Sequence, residues 1–181
     1  HDPHATNNAS LLIDDPNKLC LDCHLDVAHT IDTSTTQHSA VTSKRGCTNC
    51  HAAHASNHAS LLKDQSQSLC FECHNQPITL PDGSTIVNMQ KVMESGKSLH
   101  AAVTERGCDE CHAIHGSDHR RLLVNEYPST IYFPFSENSY ALCFACHDRQ
   151  LVMEEPTNSA TGFRNGNLNL AQSLVEQLAS D

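Results

Sequence analysis

The chain has 181 residues, with no tryptophan, three tyrosines, five phenylalanines and a mean hydropathy of −0.43. Side chains of this composition bury too little apolar surface to offset the conformational entropy lost on folding, so an ordinary hydrophobic core is not expected. The net charge of −10 argues against nucleic-acid binding, which uses basic patches, and is compatible with solubility or with a basic partner surface. No apolar segment approaches the roughly 20 residues of a membrane-spanning helix, so no transmembrane segment is predicted.

All ten cysteines lie in five Cys-x-x-Cys-His motifs, numbered 1 to 5 in chain order: residues 20–24, 47–51, 70–74, 108–112 and 143–147. Two thiols at this spacing can form thioethers with the two vinyl groups of one haem, and the adjoining histidine then reaches the iron. The sequence therefore predicts five haem c groups. The predicted attachment residues are Cys20, Cys23, Cys47, Cys50, Cys70, Cys73, Cys108, Cys111, Cys143 and Cys146. The predicted proximal iron ligands are His24, His51, His74, His112 and His147.

Two other uses of paired cysteines fit the pattern less well. A disulfide framework leaves the histidine after every pair unexplained. A zinc site usually combines two cysteine pairs, and five is an odd number of pairs. We therefore favour haem, and because ordinary core material is scarce, we expect the haems to form the core. The predicted fold class is mainly coil with short α-helices and minimal β-structure, wrapped around a chain of haems.

The surroundings of the motifs repeat along the chain. Motif 1 lies in a half unit at residues 1–30, motifs 2 and 3 in a full unit at 31–80, and motifs 4 and 5 in a full unit at 95–150. His4 lies 16 positions before the first cysteine of motif 1, as His54 lies 16 positions before that of motif 3. The chain thus begins where a Cys-x-x-Cys pair is expected to have just ended. Either residues are missing before His1, or His1 is a true terminus with another role.

Regular structure is expected to be sparse, with each motif on a short helical turn. In chain order, the other predicted elements are a loop at 7–10, a loop at 34–36, a hairpin at 77–87 around a Pro-Asp-Gly turn, a helix at 88–98, a loop at 156–161 and a helix at 171–179. Residues 1–150 are predicted to form one pentahaem electron-transfer domain. Residues 151–181 are predicted to form a C-terminal tail with a short helix.

The second full unit contains an aromatic insertion. From His115 to Cys143 is 28 positions instead of the 16 found in the first full unit, hence 12 extra residues. Six aromatic residues lie in or beside it: Tyr127, Tyr132, Phe133, Phe135, Tyr140 and Phe144. A flap that packs on the last haem is the favoured interpretation, because exposed apolar patches are uncommon on monomers. A contact surface for another subunit is the alternative.

The repeat also selects distal iron ligands. Nine of the fourteen histidines lie outside the motifs, and five irons with two axial ligands need five of them. Three occupy the position three residues after a motif-type histidine, and two precede motifs 2 and 4 by nine and eight residues. The predicted distal ligands are His4, His38, His54, His100 and His115.

Helical geometry constrains which iron each distal ligand serves. Residues i and i+3 lie side by side on a turn, so His54 cannot reach the far face of the haem held by His51. We assign His4 to motif 1, His38 to motif 2, His54 to motif 3, His100 to motif 4 and His115 to motif 5. This pairing predicts that haems 2 and 3, and haems 4 and 5, lie close together. The first haem would then pair with an upstream site or with a neighbouring chain.

Other candidate ligands are weaker. His58 and His119 occupy the same position of the repeat, where the half unit has an asparagine. His29 has no counterpart in the other units, and we expect it at the surface or beside a haem propionate. Met89 and Met93 have helical spacing, which favours a small apolar helix face over iron ligation.

The paired motifs, the His-x-x-His steps and the Leu-Leu…Leu-Cys spacing over residues 1–150 resemble the doubled-CXXCH multihaem c-type cytochromes. That family includes periplasmic pentahaem carriers, decahaem outer-membrane conduits and cell-surface cytochromes of metal-reducing bacteria, and some related proteins polymerise into extracellular filaments. Residues 161–170 also look like a family segment, although no further haem motif follows here. The resemblance implies a multihaem cytochrome c fold. It also implies redox proteins, other cytochromes or copies of the chain as partners, and a periplasmic or cell-surface location. Because the chain has no signal peptide, we expect a mature exported product or a fragment of one.

We predict electron transfer through bis-histidine, low-spin haems in anaerobic or extracellular respiration, as one module of a longer or polymeric haem array, with no catalytic residue. Filled axial positions leave the iron no vacancy for a substrate, and two imidazoles favour low potentials. The alternative is a multihaem reductase of the nitrite or hydroxylamine type, which needs one iron with an open site. Carbon monoxide binding distinguishes these functions. The sequence leaves open the potentials, the electron direction, the partner and the choice between monomer and filament.

Overall fold

The computed structural model describes residues 1–130, 133 and 136–149, and the backbone of residues 164–165 and 168–169. Its α-helices are α1 (Pro16–Leu21), α2 (Leu25–Thr33), α3 (Ser39–Thr42), α4 (Ser66–His74), α5 (Met89–Ser95), α6 (Ala101–Glu105) and α7 (Ala141–Phe144). Single 3₁₀ turns lie at Ala9–Leu11, Gly46–Asn49, Ala59–Leu61, Cys108–Glu110, Arg120–Leu122 and Asn138–Tyr140. In the described part of the chain, no helix has the length and apolar character needed to cross a bilayer.

Among the described residues, the strands form three short antiparallel pairs. They are β1 (Thr36–Gln37) with β4 (Gly116–Ser117), β2 (Ile78–Thr79) with β3 (Thr85–Ile86), and β5 (Arg164–Asn165) with β6 (Leu168–Asn169). Every strand has two residues, so β-structure contributes little to the fold. The expected fold class, mainly coil with short helices and minimal β-structure, is confirmed.

The predicted hairpin and helix that follow motif 3 are both present. Strand β2 pairs with β3, and Gly83 in the turn between them has a φ of +82°, which glycine adopts at little cost. Helix α5 begins after Asn88, whose side-chain oxygen accepts a hydrogen bond from the Lys91 backbone N–H at 2.8 Å. This contact satisfies one of the unpaired N–H groups of the first turn. The helix ends at Ser95, short of the predicted residue 98.

Only part of the aromatic insertion and none of the predicted tail helix can be compared with the structure. Tyr127 and Phe133 are exposed, whereas Tyr140 and Phe144 are half-buried beside and within α7. The choice between a haem-covering flap and a subunit contact stays a prediction. Tyr132, Phe135, the loop at 156–161 and the helix at 171–179 lie outside the described residues.

In the part of the chain that the structure describes, side chains form almost no core. Among the described residues, Leu69 is the only hydrophobic residue that is buried, with 9% of its surface exposed. Ile13 and Leu25, in contrast, expose 65% and 67% of their surfaces. Large aliphatic side chains of folded proteins are usually buried, so another apolar component is required to cover these. This distribution is expected if haems form the interior, as the composition predicts.

A short bridge joins the two full units. Strand β1 pairs with β4, and the Asp118 carboxylate accepts hydrogen bonds from the Thr35 backbone N–H at 2.8 Å and from its hydroxyl at 2.9 Å. The loop predicted at 34–36 is therefore wrong for residue 36, which is the first residue of β1. Because β1 directly precedes His38 and β4 directly follows His115, the bridge brings the segments of these two candidate ligands together.

Candidate haem-binding site

Each motif occupies one helical turn. The backbone N–H of the motif histidine donates to the carbonyl of the first cysteine, at 3.0 Å in motif 1, 3.0 Å in motif 2, 3.1 Å in motif 4 and 2.9 Å in motif 5. Motif 3 lies within α4. A turn of about 3.6 residues brings both thiols and the imidazole within reach of a single ligand. The prediction that each motif sits on a short helical turn is confirmed.

A distant carbonyl anchors the first motif histidine of each full unit. Nδ1 of His51 lies 2.8 Å from the Ser60 carbonyl oxygen, and Nδ1 of His112 lies 3.0 Å from that of Arg121. A carbonyl oxygen can only accept, so Nδ1 carries the proton and donates it. Nε2 is then left without a proton and available to a metal, with the ring orientation fixed.

The anchoring carbonyls belong to left-handed turns. φ is +54° at both Ser60 and Leu61, and +58° and +59° at Arg121 and Leu122. The left-handed conformation costs a residue other than glycine roughly 1–2 kcal/mol. The same strained turn at equivalent places in both units indicates a functional constraint. The sequence offers the Leu-Leu repeat as a signal, but no glycine marks the turn, so sequence reasoning missed it.

Four pairs of histidine rings face each other at similar separations. The centroids are 6.3 Å apart in His38–His74, 6.4 Å in His51–His115, 5.9 Å in His100–His147 and 6.0 Å in His1–His54, with ring planes at 12°, 23°, 39° and 25°. A metal–nitrogen bond of about 2 Å on each side, plus roughly 1.1 Å from nitrogen to ring centre, places two axial imidazole centroids about 6 Å apart.

Direct ring contacts can also have this separation. Three of the four pairs, however, join a predicted proximal ligand to a predicted distal ligand. The residues present therefore fit a haem iron with two axial histidines.

The facing rings favour a different pairing from the one predicted from the sequence. The sequence assigns His38 to motif 2, His54 to motif 3, His100 to motif 4 and His115 to motif 5. In the structure, His38 faces His74 of motif 3, and His54 faces His1. His100 faces His147 of motif 5, and His115 faces His51 of motif 2. Neither His54 nor His115 faces the histidine of its own motif. The β1–β4 bridge sets the two full units side by side, which brings His115 near motif 2.

Two motif histidines have no facing ring. All fourteen histidines belong to the described residues, and among these residues no ring faces His24 or His112. The side chain of His4, which the sequence assigns to motif 1, is 93% exposed and lies 3.6 Å from the Asp2 carboxylate. His29 is exposed on α2, as expected.

The two other repeated histidines lie within the loops that follow motifs 2 and 4. The backbone N–H of His58 donates to the Ser56 hydroxyl, and that of His119 to the Ser117 hydroxyl, both at 2.9 Å. Nδ1 of His119 also lies 3.2 Å from the Glu126 carboxylate. The side chain of His119 therefore helps to shape its loop, whereas His58 takes part through its backbone.

Burial favours the neutral form of three of the paired imidazoles. Burial is the main cause that lowers the pKa of His38, followed by the neighbouring His74 and His115, and burial also lowers the pKa of those two residues. Histidine binds metals in its neutral form. Nδ1 of His38 is also shielded from solvent without a hydrogen-bond partner, which is costly unless a bound group occupies the site.

The thiols of successive motifs approach one another. Interactions connect Cys20 with Cys47, Cys50 with Cys73, Cys70 with Cys108, and Cys111 with Cys146. The hydrogen bond to Cys108 is the largest cause that raises the pKa of Cys70; for Cys20, Cys50 and Cys111, burial is the largest. The thioethers that these cysteines form with haem do not titrate. The interactions therefore indicate only that the motifs concerned lie near one another. The five motifs follow one another in space, including the steps from 1 to 2 and from 3 to 4 that the sequence did not predict.

Glycine at position 46 permits the contact between motifs 1 and 2. Its φ is +44°, and a Cβ there would lie 1.9 Å from Oδ1 of Asn17. That oxygen accepts a hydrogen bond from the Cys47 backbone N–H at 3.1 Å. Gly46→Ala is expected to lower the free energy of unfolding by about 2–4 kcal/mol, from left-handed strain plus displacement of Asn17. Denaturant unfolding of the haem-loaded protein measures this loss.

Gly83→Ala is the matched control. Its φ of +82° imposes strain as well, but a Cβ there meets nothing within 4 Å. This variant is expected to lose only about 1 kcal/mol. Equal losses in the two variants would contradict the role assigned to the Asn17 contact.

Comparison with known proteins identifies one family. A family model described as the doubled CXXCH motif matches residues 1–29, 38–78 and 100–151. No curated protein and no solved structure matches the chain.

Proposed function

The chain belongs to the doubled CXXCH motif family, and we propose that it transfers electrons through five covalently bound, bis-histidine-type c-haems. Family membership makes it a multihaem c-type cytochrome; the number five comes from the count of motifs. Each haem supplies an iron that takes up and releases one electron. The observation that carries the proposal is the set of facing histidine rings, 5.9 to 6.4 Å apart, at motifs 2, 3 and 5.

The residues of the chain hold and orient the haems. We assign the ten motif cysteines to thioether attachment and the five motif histidines to the proximal side of each iron. His115 is the second axial ligand at motif 2, His38 at motif 3 and His100 at motif 5. The carbonyls of Ser60 and Arg121 hold two proximal rings in the tautomer that binds metal.

The order of the sites supports a single electron path. Hydrogen-bonding or electrostatic interactions link the thiols of each motif with those of the next, from motif 1 to motif 5. Residues 1–150 form the electron-transfer domain in this proposal. Electrons pass between neighbouring sites in chain order, and the protein keeps those sites at fixed separations.

The cellular setting is also part of the proposal. We place the chain in the periplasm or at the cell surface, in anaerobic or extracellular respiration, because family members are exported. The net charge of −10 suits a redox partner with a basic surface. Assembly with copies of itself into a filament, as one module of a longer array, rests on the family resemblance alone.

Haem counting with redox titration tests the proposal. The purified 181-residue chain is expected to retain five haems after acid-acetone extraction and to take up five electrons in a reversible titration. Replacing both cysteines of motif 3 with alanine is expected to reduce each count by one. A colourless protein that contains zinc, or a titration without reversible haem reduction, would contradict electron transfer.

A multihaem reductase is the second candidate, favoured by one feature near motif 4. Among the described residues no ring faces His112, and a cavity beside it is lined by Arg120, Arg121 and Tyr127. Cationic and phenolic groups of this kind suit an oxyanion such as nitrite. Turnover of nitrite or hydroxylamine that Arg120→Ala slows at least tenfold would favour the reductase. Carbon monoxide binding without turnover would favour the electron carrier.

A further inference from the structure

His1 takes the position of a motif histidine although no cysteine precedes it in the chain. Nδ1 of His1 lies 2.9 Å from the Ser10 carbonyl oxygen, and the Asp2 backbone N–H donates to the Leu11 carbonyl at 2.8 Å. The equivalent contacts at His51 are 2.8 Å to Ser60 and, from the following residue, 2.7 Å. His1 therefore has the same protonated Nδ1 and the same free Nε2 as a proximal ligand.

The turn that anchors His1 carries the same strain as those of the full units. φ is +57° at both Ser10 and Leu11, which form the third left-handed turn of this kind in the described residues. The three turns share no glycine, and each is followed by an extended leucine. A loop that only covered the chain end would need no such strain.

His54 faces His1 by the same rule that pairs His115 with His51. Each distal ring lies three residues after a proximal ring and faces the proximal ring of the preceding unit. The centroids are 6.0 Å apart with planes at 25° in the first pair, and 6.4 Å with planes at 23° in the second.

From this equivalence we propose that His1 and His54 form a sixth haem-iron site. The inference rests on the proposed haem function of the motifs. It adds a site that the motif count does not include. All ten cysteines belong to motifs 1 to 5, so no thiol of the 181-residue chain bonds this porphyrin. In this chain the sixth haem is held by coordination of its iron to Nε2 of the two histidines, and it dissociates in acid.

Haemin titration of the protein with its five covalent haems tests the site. The protein, produced with His1 as its first residue, is expected to bind one further haemin with a low-spin, bis-histidine spectrum. Acid acetone should then extract one haem and leave five. The His54→Ala variant is expected to bind this haemin at least tenfold more weakly and to lose the added low-spin signal. The His29→Ala variant, which removes an exposed histidine of α2, should bind haemin as the unchanged chain does.

The outcomes separate this inference from the proposed function. Five haems that resist extraction, with no further haemin bound, would overturn the sixth site and leave electron transfer by the motifs in place. Equal haemin binding by the His54→Ala variant and the unchanged chain would also overturn it. A covalent count below five would instead contradict the haem assignment of the motifs.

Discussion

Replacing His115 with alanine is expected to remove one axial ligand from the haem of motif 2 and to leave the haem of motif 5 unchanged. The His115 ring faces His51 with centroids 6.4 Å apart, whereas His100 faces the histidine of motif 5. One of the five haems should therefore change from low-spin to high-spin, which absorption and electron paramagnetic resonance spectra measure. His119→Ala, four residues along the same loop, is the matched control and should change no haem.

A double-variant comparison identifies which haem responds. In a protein that lacks haem 2, because Cys47, Cys50 and His51 are replaced with alanine, the added His115→Ala change should have no spectral effect. In a protein that lacks haem 5, through the same change at Cys143, Cys146 and His147, the full effect of His115→Ala should remain. The reverse result would restore the pairing that the sequence predicts.

The haem-free chain is expected to be unfolded, the largest effect on stability in this protein. Leu69 is the only hydrophobic residue buried in the described part of the structure. A porphyrin that hides on the order of 300 Å² of apolar surface contributes about 7 kcal/mol, so five of them outweigh any contribution from side chains. A variant with all ten motif cysteines changed to alanine, purified free of haem, should lack helical circular dichroism and a cooperative unfolding transition.

Removal of a single terminal haem is the control for this prediction. Loss of motif 1 alone, through Cys20→Ala and Cys23→Ala, should leave a cooperative transition at lower denaturant concentration. A cooperative transition in the fully haem-free chain would show that the polypeptide folds without haem. That result would contradict the inference that haems, rather than side chains, form the core of the protein.

The sequence predicted the features that depend on neighbouring residues. Adjacent cysteines and a histidine define each motif, and local turn chemistry gave the hairpin at 77–87 and the helix that Asn88 caps. The fold class followed from composition, because so few apolar side chains are available.

The features that depend on distant residues were missed. The bridge between β1 and β4 joins residues about 80 positions apart, and two-residue strands carry no alternation that a sequence could reveal. The pairing of His115 with His51 depends on that bridge, so the sequence alone did not indicate it. The sequence did not predict the left-handed turn at Ser60 and Leu61, because the group that contacts His51 is a backbone carbonyl. Every residue type has that group, so the residue type does not reveal it.

The central claim is that the axial histidines are the pairs of facing rings, His115 with His51 between the two full units and His38 with His74 within the first, and an experimental structure of the haem-loaded protein tests it most directly. We expect the iron at motif 2 to lie between His51 and His115, and the iron at motif 3 to lie between His74 and His38. An iron at motif 2 that is bound by His38, with His115 on the iron at motif 5, would contradict this account.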